Sequence, residues 1–353
     1  MKKLGIAKEI VKKAVRKAGF EIRRKEPQAV LQRPAAEKKT VRKQPFGETI
    51  YNPRWRLKNY YALKEFGPGI KRWFIEQKYY QILGQFPDLN RPRTFNEKIH
   101  WLNLNYQDER ITRCCDKYEM KKYVKEILGA DYSVPVIKTY DHASDIHFDE
   151  LPDRFAIKVN WGDGPEFSEV VADKKKADED AIKFKMNNAI QPWNNLFYSH
   201  FFWGYKNVRG RIFVEEFVEH EGSDLNDYKF HCFNGVPKFV LVCEERSQKR
   251  MKKTFLDLDW KVMPCHRADG DVNYNVKKPD NYDEMLHVVS ELCKPFPFVR
   301  VDLYNANGKL YVGEMTFHPG TGLESFIPEQ WNTIVGDMLT LPERNVYDED
   351  ARY

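Results

Sequence analysis

The most regular alternation of apolar and polar residues runs from residue 298 to residue 316. A period of two indicates β-strands that have one apolar and one polar face. The run is interrupted at Ala306–Gly308, which suits a three-residue turn with Gly308 in the left-handed conformation. The pattern therefore predicts a hairpin in a register that places Arg300 opposite Glu314.

Four polar side chains are predicted to share one face of this hairpin: Arg300, Asp302, Glu314 and Thr316. Two carboxylates and a guanidinium on one face are costly unless they hold something. A divalent cation that bridges phosphate oxygens would satisfy the carboxylates, and the arginine could contact an anionic substrate. An arginine salt bridge on a solvated sheet face is the alternative explanation.

Helical periodicity is clearest between Asp116 and Gly129. Asp116 can cap the start of this helix, and Gly129 can end it. Lys117 lies in the first turn, where the helix dipole disfavours a cation. That position suggests a lysine that reaches an anion such as a phosphate group.

Weaker periodicities complete a mixed pattern of helices and strands. Further helices are predicted around Trp73–Gln81, after a capping box formed by Thr94 and Glu97, over residues 172–191 and over residues 285–293. Further strands are predicted within residues 133–140, 153–159, 209–222 and 254–260, and a hairpin around Asn234 within residues 225–246.

Two segments in the middle of the chain are candidates for nucleotide binding. A short apolar strand carries Lys158 near its end and is followed by Gly162 and Gly164. Backbone N–H groups of a glycine loop, together with one lysine, can cradle phosphate groups. The loop matches neither the P-loop nor the GxGxxG pattern, and Gly-Asp-Gly is also an ordinary turn. A later apolar strand contains Glu215 and Glu216, whose carboxylates need partners that an adenine amino group and backbone pairing would partly supply.

The net charge of +6 is concentrated in an N-terminal arm. Residues 1–44 contain 15 Lys/Arg and 4 Asp/Glu, whereas the remainder contains 43 and 48. Residues 1–25 form a predicted basic amphipathic helix, which suits either the surface of an anionic membrane or packing on the protein body. Residues 26–50 are polar and predict a flexible linker. Because the body is mildly acidic, the overall charge does not indicate nucleic-acid binding.

Length and cysteine spacing narrow the class of protein further. A chain of 353 residues can form two or three domains. Its six cysteines have no CxxC spacing and predict no zinc site, and scattered thiols suit the reducing cytoplasm. No segment has the pattern of a membrane span or of a signal peptide, so we expect a cytoplasmic protein.

Taken together, these segments resemble the ATP-grasp ligases, and more closely the TupA-like ATP-grasp family, named for a protein of teichuronopeptide synthesis. The resemblance runs from about Tyr79 to about Leu341 and is carried by RPRTFNEKIHWL, LPDRFAIK, DYKFHCFNGVPKF and FPFVRVDLYNANGKLYVGEMTFHPGTG. It implies an α+β fold in which two α+β subdomains clasp a nucleotide, with a helical segment at the N-terminus. The implied ATP-grasp domain spans residues 111–341, between a helical region at residues 51–110 and a tail at residues 342–353.

The resemblance also implies roles for individual residues. Nucleotide-binding residues would be Lys117, Lys158, Gly162 and Gly164 at the phosphates, Glu215, Glu216, Phe217 and Val218 at the adenine, and also Lys229. Magnesium ligands would be Asp302, Glu314 and Thr316, and the catalytic residues Arg300 and Arg246 would stabilise charge that develops during the reaction. The sequence departs from the family in two places: the Trp161–Glu166 loop contains two acids and a proline, and Thr316 stands where many ATP-grasp enzymes carry asparagine.

The implied activity is ATP-dependent ligation of a carboxylate to an amine through an acylphosphate, with ATP and Mg²⁺ as cofactors. The family context suggests a uronic-acid or peptide-like group of a bacterial surface polysaccharide as the carboxylate, and an amino acid or another amine as its partner. Such polymers are assembled at the inner face of the membrane, where residues 1–25 would provide a peripheral contact. Two alternatives stay open, a glycosyltransferase of capsule synthesis and a non-catalytic ATP-grasp-like protein. Nucleic acid is not an expected partner in any of the three.

Overall fold

The structure, a computed structural model, describes residues 70–162, 164–220, 225–245 and 251–346. The helix predicted at residues 1–25, the linker predicted at residues 26–50 and the catalytic candidate Arg246 lie outside the described residues. Asp163 of the glycine loop lies outside them as well.

Eight α-helices occur within the described residues: α1 (Ile70–Leu83), α2 (Phe95–Asn105), α3 (Glu109–Cys115), α4 (Lys117–Leu128), α5 (Glu179–Ala189), α6 (Leu196–His200), α7 (Tyr282–Cys293) and α8 (Trp331–Asp337). The predicted capping box opens α2, because the Thr94 side chain and the Glu97 carboxylate each accept from the backbone N–H of the other. Asp116 caps α4 by accepting from two N–H groups, and Gly129 ends it in the left-handed conformation, as predicted. None of these helices is long and apolar enough to cross a bilayer.

The long charged helix predicted over residues 172–191 is wrong in its first third. Lys174–Lys176 form a separate 3-10 turn that Asp173 caps. Helix α5 begins only after Asp178, whose carboxylate accepts from the N–H of Ala181. Short acidic side chains that bond nearby N–H groups compete with a continuous helix, so two successive caps divide the segment.

The strands form two antiparallel sheets. The first contains β1 (Val136–Tyr140), β2 (Phe155–Val159), β3 (Ser168–Val171) and β4 (Ile212–Glu216) in the order β1-β4-β2-β3. The second contains β5 (Asp227–Phe233), β6 (Val236–Glu244), β7 (Lys252–Asp257), β8 (Phe298–Ala306) and β9 (Lys309–Thr316) in the order β7-β6-β5-β8-β9. Every strand except β3 corresponds to a predicted one, and the predicted α+β class is confirmed.

The hairpin of β8 and β9 has a tighter turn than the sequence predicts. Asn307 and Gly308 both have positive φ, at 53° and 85°, and together form a two-residue turn. The predicted three-residue turn and the predicted pairing of Arg300 with Glu314 are therefore wrong.

A bulge in β9 nevertheless brings the polar side chains to one face. The register shifts just after Asp302, and Gly313 is the extra residue of the bulge. Beyond the bulge Asp302 lies opposite Glu314, and Arg300 lies opposite Thr316. Directly opposed residues of an antiparallel pair project from the same face. The four side chains therefore share a face because of the bulge, which the alternation of apolar and polar residues does not predict.

The second sheet is covered on both faces. On one face α7 packs against aliphatic residues of β8 such as Val301, and α4 packs against β9. On the other face Phe95 of α2 packs against Phe298, with ring centroids 5.1 Å apart, in a cluster that includes α8. Alternate residues of a strand share a face, so Arg300 and Asp302 continue the face that begins with Phe298. The charged face is thus anchored at one end by an aromatic cluster.

Candidate functional site

Lys158 and Glu215 come from neighbouring strands of the first sheet and meet on one face. The pairing of β2 with β4 sets them two positions apart along the ladder, because Glu215 pairs with Ala156 and Lys158 pairs with Phe213. Lys158 Nζ lies 2.5 Å from Oε2 of Glu215, and Lys121 Nζ of α4 lies 2.5 Å from Oε1. The Glu215 side chain is 4% exposed. One buried carboxylate is therefore shared by two lysines.

The charges of this triad determine its ionisation. Burial opposes ionisation of Glu215, but Lys158 and Lys121 outweigh burial and hold the pKa of the carboxyl below its ordinary value. Burial lowers the pKa of Lys121 although Glu215 counteracts it. For Lys158 burial also acts to lower the pKa, but attraction to Glu215 prevails and raises it. The carboxylate is therefore charged at neutral pH and paired with both lysines.

A second cluster of charges lies on the polar face of β8 and on the adjacent strand β5. Arg300 donates from Nε and Nη2 to the two oxygens of Asp302, each at 2.7 Å. Lys229 lies opposite Asp302, and its Nζ is 2.6 Å from carboxylate oxygens of both Asp302 and Asp227. Two acids and two bases thus neutralise one another inside the protein.

Asp302, Lys229 and Arg300 of the second cluster are ionised at neutral pH. Burial opposes ionisation of Asp302, but Arg300 and Lys229 prevail and lower its pKa to about 2. Burial likewise opposes the charge of Lys229 and Arg300, yet the neighbouring carboxylates raise the pKa of both side chains above the ordinary range. The carboxylate of Asp302 therefore stays available as an anionic ligand well below neutral pH.

Glu314 joins the second cluster to the start of α4. Its carboxylate lies 3.3 Å from Nζ of Lys117 and 3.9 Å from Nη2 of Arg300. The side chains of Lys117 and Glu314 are 20% and 17% exposed, so this part of the site opens to solvent. The backbone N–H of Lys117 donates to the carbonyl of Asn160 at 2.9 Å, which holds the start of α4 at the end of β2. Helix α4 therefore brings the two sheets together at the site.

The structure brings together most of the residues that the sequence singles out. The side chains that converge between the two sheets are those of Lys117, Lys158, Glu215, Lys229, Arg300, Asp302, Glu314 and Thr316. Thr316 joins this group through a 3.2 Å hydrogen bond from Nη2 of Arg300. The partners of Glu215 turn out to be lysines, so its buried carboxylate is satisfied without an adenine.

The three residues after Glu215 do not join the charged clusters. Glu216 is exposed, the Phe217 ring lies 3.9 Å from the guanidinium of Arg154, and the Val218 carbonyl lies 3.2 Å from Nδ1 of His220. Their contact with an adenine therefore stays a prediction.

The glycine loop joins β2 to β3. Gly162 and Gly164 have φ of 90° and 96°, a conformation that L-residues rarely adopt. A Cβ atom on Gly162 would lie 2.6 Å from Cδ1 of Phe167, whereas one on Gly164 would meet nothing within 4 Å. The N–H of Phe167 donates to the carbonyl of Gly164 at 3.2 Å and closes the loop. The loop thus has one crowded glycine and one open one.

Gly162→Ala is expected to destabilise the protein more than Gly164→Ala. Both variants place a side chain in a left-handed conformation, which costs about 1–2 kcal/mol. Only the first also drives a methyl group into the Phe167 ring, which adds about 1–3 kcal/mol. Denaturant unfolding of the two variants measures the difference, and equal losses would show that the Phe167 ring does not pack on the loop.

Asp302 and Glu314 are the candidate ligands for a divalent cation, with Thr316 beside them. Mg²⁺ is usually held by one or two carboxylates together with phosphate oxygens and water. The two opposed carboxylates suit that role if some of the ion pairs that Arg300 and Lys229 form with Asp302 are broken. Among the described residues, no group of three or more His, Cys, Asp or Glu side chains could hold a metal ion. The donor set therefore fits a cation that also binds phosphate oxygens, but not a metal site made by protein side chains alone.

Two members of the site, Lys121 and Asp227, are not singled out by the sequence. Lys121 follows Lys117 by one helical turn and so shares its face of α4. Asp227 precedes Lys229 by two residues and so shares its face of β5. The spacing of each pair is the signal that could have identified them, once the neighbouring lysine is chosen as a site residue.

The chain is similar to one protein family. A family model described as TupA-like ATPgrasp matches residues 97–340, well over half of the chain. No curated protein matches the chain.

Solved structures of ligases align with the chain at low identity. D-alanine–D-alanine ligase from Bacillus anthracis is 18% identical, with a TM-score of 0.37 over 64% of this chain and 66% of that one. D-alanine–D-alanine ligase from Helicobacter pylori is 13% identical, with a TM-score of 0.39 over 71% and 68%. The ATP-grasp ligase PsnB, complexed with its minimal precursor, is 9% identical, with a TM-score of 0.34 over 65% and 60%. The chain thus spans less than two thirds of the Bacillus anthracis and PsnB chains.

Proposed function

Because this chain belongs to the TupA-like ATP-grasp family, we propose that it is an ATP-dependent ligase that joins a carboxylate to an amine. The observation that carries the proposal is the convergence of five cationic side chains and four carboxylates between the two sheets. The cations are Lys117, Lys121, Lys158, Lys229 and Arg300, and the acids are Glu215, Asp227, Asp302 and Glu314. Five positive and four negative charges leave the site with a net charge of +1. A divalent cation would make the net charge more positive, which suits the negative charge of a triphosphate.

ATP binding is proposed to exchange the partners of these charges. Lys117 is paired with Glu314, and Lys158 is paired with Glu215. Phosphate oxygens would compete for the two lysines, and the carboxylate of Glu314 would become available to a metal ion. Glu215 would keep Lys121 as its partner. The exchange leaves no buried charge without a partner. This matters because breaking a buried ion pair is strongly unfavourable when one charge is left uncompensated.

A bound magnesium ion would supply positive charge that screens the phosphate groups. Asp302 and Glu314 would hold it, with the Thr316 hydroxyl as a weaker neighbouring ligand. Lys229 would stay paired with Asp227, so that these two buried charges continue to neutralise each other. Thr316 supplies no charge, so the two carboxylates set the affinity for the metal.

The proposed reaction has two steps. An oxygen of the substrate carboxylate attacks the γ-phosphorus of ATP, the bond from that phosphorus to the bridging oxygen breaks, and an acylphosphate and ADP result. The amine nitrogen then attacks the acyl carbon, the bond from carbon to the phosphate oxygen breaks, and the nitrogen loses a proton. Lys117 and Lys158 would orient the phosphate, and Arg300 would stabilise the negative charge on the acyl oxygen. Arg246 is proposed for the same task.

The proposed substrates follow from the family resemblance. The carboxylate would belong to a uronic-acid or peptide-like group of a bacterial surface polysaccharide, and the amine to an amino acid or another small amine. The basic pattern of residues 1–25 supports a peripheral contact with the cytoplasmic face of the membrane, where such a polymer would be met.

The full-length protein is expected to release ADP from Mg-ATP much faster when a carboxylate and an amine are both present. A coupled ADP assay of uronic acids crossed with amino acids measures this. Lys158→Met is expected to lower the rate on the order of 10²-fold or more, because it removes a charge from the phosphate site. Lys138→Met, which removes an exposed lysine of β1 paired with Glu150, is the matched control and should change little. Turnover of a nucleotide sugar without ATP would instead identify a glycosyltransferase.

A further inference from the structure

Lys78 is a buried lysine of α1 that has no carboxylate beside it among the described residues. The residue is 8% exposed, and its ammonium group donates to the Thr321 hydroxyl at 3.3 Å. No acid within the described part of the chain forms an ion pair with it. Burial lowers the pKa of Lys78 to about 7. A buried amine without a counter-charge is costly, and it is retained where something compensates the cost.

The groups around Lys78 are neutral. His100 of α2 is 3% exposed, and burial, followed by the charge of Lys78, lowers its pKa to about 3. The His318 ring stacks on Phe202 at a centroid distance of 4.0 Å. His100 also has an Nδ1 atom without a hydrogen-bond partner among the described residues. Among the described residues, the groups that interact with the ammonium group are the imidazoles of His100 and His318 and the Thr321 hydroxyl, and none of them supplies negative charge.

The loop that carries Thr321 is held in an unfavourable conformation. Gly320, Thr321 and Gly322 all have positive φ, at 57°, 58° and 76°. A β-branched residue is rarely found in this region, and such strain is typical of ligand sites. A Cβ atom on Gly322 would lie 2.6 Å from Cε1 of His100, so the loop is packed tightly against α2. The fold therefore holds the Thr321 hydroxyl beside Lys78 at a cost in backbone strain.

The position of this loop links Lys78 to the charged clusters. The turn of Pro319–Gly322 begins three residues after Thr316, at the end of the strand that carries Glu314. Thr321 is partly exposed and therefore forms part of the protein surface beside the buried Lys78. A ligand at Lys78 would therefore lie near the end of β9, the strand that carries Glu314.

We propose that Lys78 and Thr321 bind an anionic group, a carboxylate or a phosphate, of a substrate other than ATP. An anion would supply the counter-charge that none of the described residues provides. The ammonium and hydroxyl groups would both donate hydrogen bonds to it. The substrate role rests on the ligase activity proposed above. The anion site itself depends only on Lys78 and its surroundings.

Titration of the full-length protein with glucuronate and with glycerol 3-phosphate, followed by calorimetry, tests the proposal. The wild type is expected to bind at least one of the two, which also distinguishes a carboxylate ligand from a phosphate ligand. Lys78→Met is expected to weaken that binding at least tenfold, since it removes a charged hydrogen-bond donor. Lys71→Met is the control: Lys71 lies two turns earlier on α1, and burial, followed by Lys206, lowers its pKa to about 8. This control should bind the anion as the wild type does.

Thermal unfolding without ligand gives a second readout. Lys78→Met is expected to melt several degrees above the wild type, because an apolar side chain of similar length replaces a buried amine. Thr321→Gly removes the hydroxyl and relieves the backbone, and is also expected to raise the melting temperature while weakening anion binding. A structural lysine would instead show a lower melting temperature for Lys78→Met and unchanged anion binding. That result, or failure of both anions to bind the wild type, would overturn the proposal.

Titration with ATP separates this proposal from the ligase activity. Lys78→Met is expected to bind ATP as the wild type does. If neither protein binds ATP while anion binding still depends on Lys78, the ligase proposal fails and the anion site stands. If ATP binds but the wild type and Lys78→Met have the same affinity for the anion, only the proposal of the anion site fails.

Discussion

Replacement of Glu215 by glutamine is expected to lower the free energy of unfolding by about 3–5 kcal/mol, the cost of breaking a buried ion pair by removing one partner. The Glu215 carboxylate is nearly inaccessible and lies 2.5 Å from the ammonium groups of both Lys121 and Lys158. Glutamine keeps the size of the side chain but turns one acceptor into a donor. Two lysines would then face an amide inside the protein.

Glu216→Gln is the matched control for this stability measurement. The residue is the next one along β4, but its side chain is exposed, so the same chemical change should stay within about 0.5 kcal/mol. Guanidinium-chloride unfolding of the two variants and the wild type gives the comparison. If Glu215→Gln were as mild as its neighbour, the shared carboxylate could not be what joins α4 to the first sheet.

Replacement of Glu314 by glutamine is expected to lower the rate of ATP-dependent ADP release by about 10²- to 10³-fold, equivalent to about 3–4 kcal/mol of transition-state stabilisation. Glu314 is only loosely held by Lys117 and Arg300, at 3.3 and 3.9 Å, so the fold should tolerate the change. The proposed loss is that of a magnesium ligand. The variant should therefore also need a higher magnesium concentration for half-maximal rate.

Glu291→Gln is the control for this loss of activity. It neutralises an acid on α7 whose partner, Lys294, is exposed, and the rate should stay close to that of the wild type. Full activity of Glu314→Gln with an unchanged magnesium requirement would remove Glu314 from the metal site.

Local signals account for most of what could be predicted. The helix that starts at Lys117 is predictable because its two end signals, Asp116 and Gly129, act through nearby backbone groups. The polar face of β8 is predictable because alternation fixes which side chains share a face. Helix α5 is the exception, since two acids placed close together each cap a different segment.

The register of the hairpin depends on contacts that the local pattern does not contain. The bulge at Gly313 decides whether Asp302 and Glu314 share a face. A Cβ atom on Gly313 would lie 2.4 Å from Cε2 of Tyr304, so glycine is required there by a ring on the neighbouring strand. The constraint belongs to the paired hairpin, and one strand read alone cannot reveal it.

The partners of the charged residues could be predicted only in part. The sequence indicates that Glu215 needs a partner, but Lys121 and Lys158 reach it only through the packing of α4 and the pairing of β2 with β4. Lys78 escapes prediction for the same reason. An isolated lysine in an aromatic helix is ordinary until the surrounding elements bury it without an acid.

Equilibrium binding of a non-hydrolysable ATP analogue, measured by calorimetry with and without Mg²⁺, tests most directly whether the charges between the two sheets form a nucleotide site. The wild type is expected to bind the analogue, with higher affinity when Mg²⁺ is present. Lys158→Met should lower that affinity at least tenfold, which is about 1.4 kcal/mol, while Glu215 keeps Lys121 and the fold persists. No binding by the wild type, or equal affinity in Lys158→Met, would contradict the assignment of these charges to ATP.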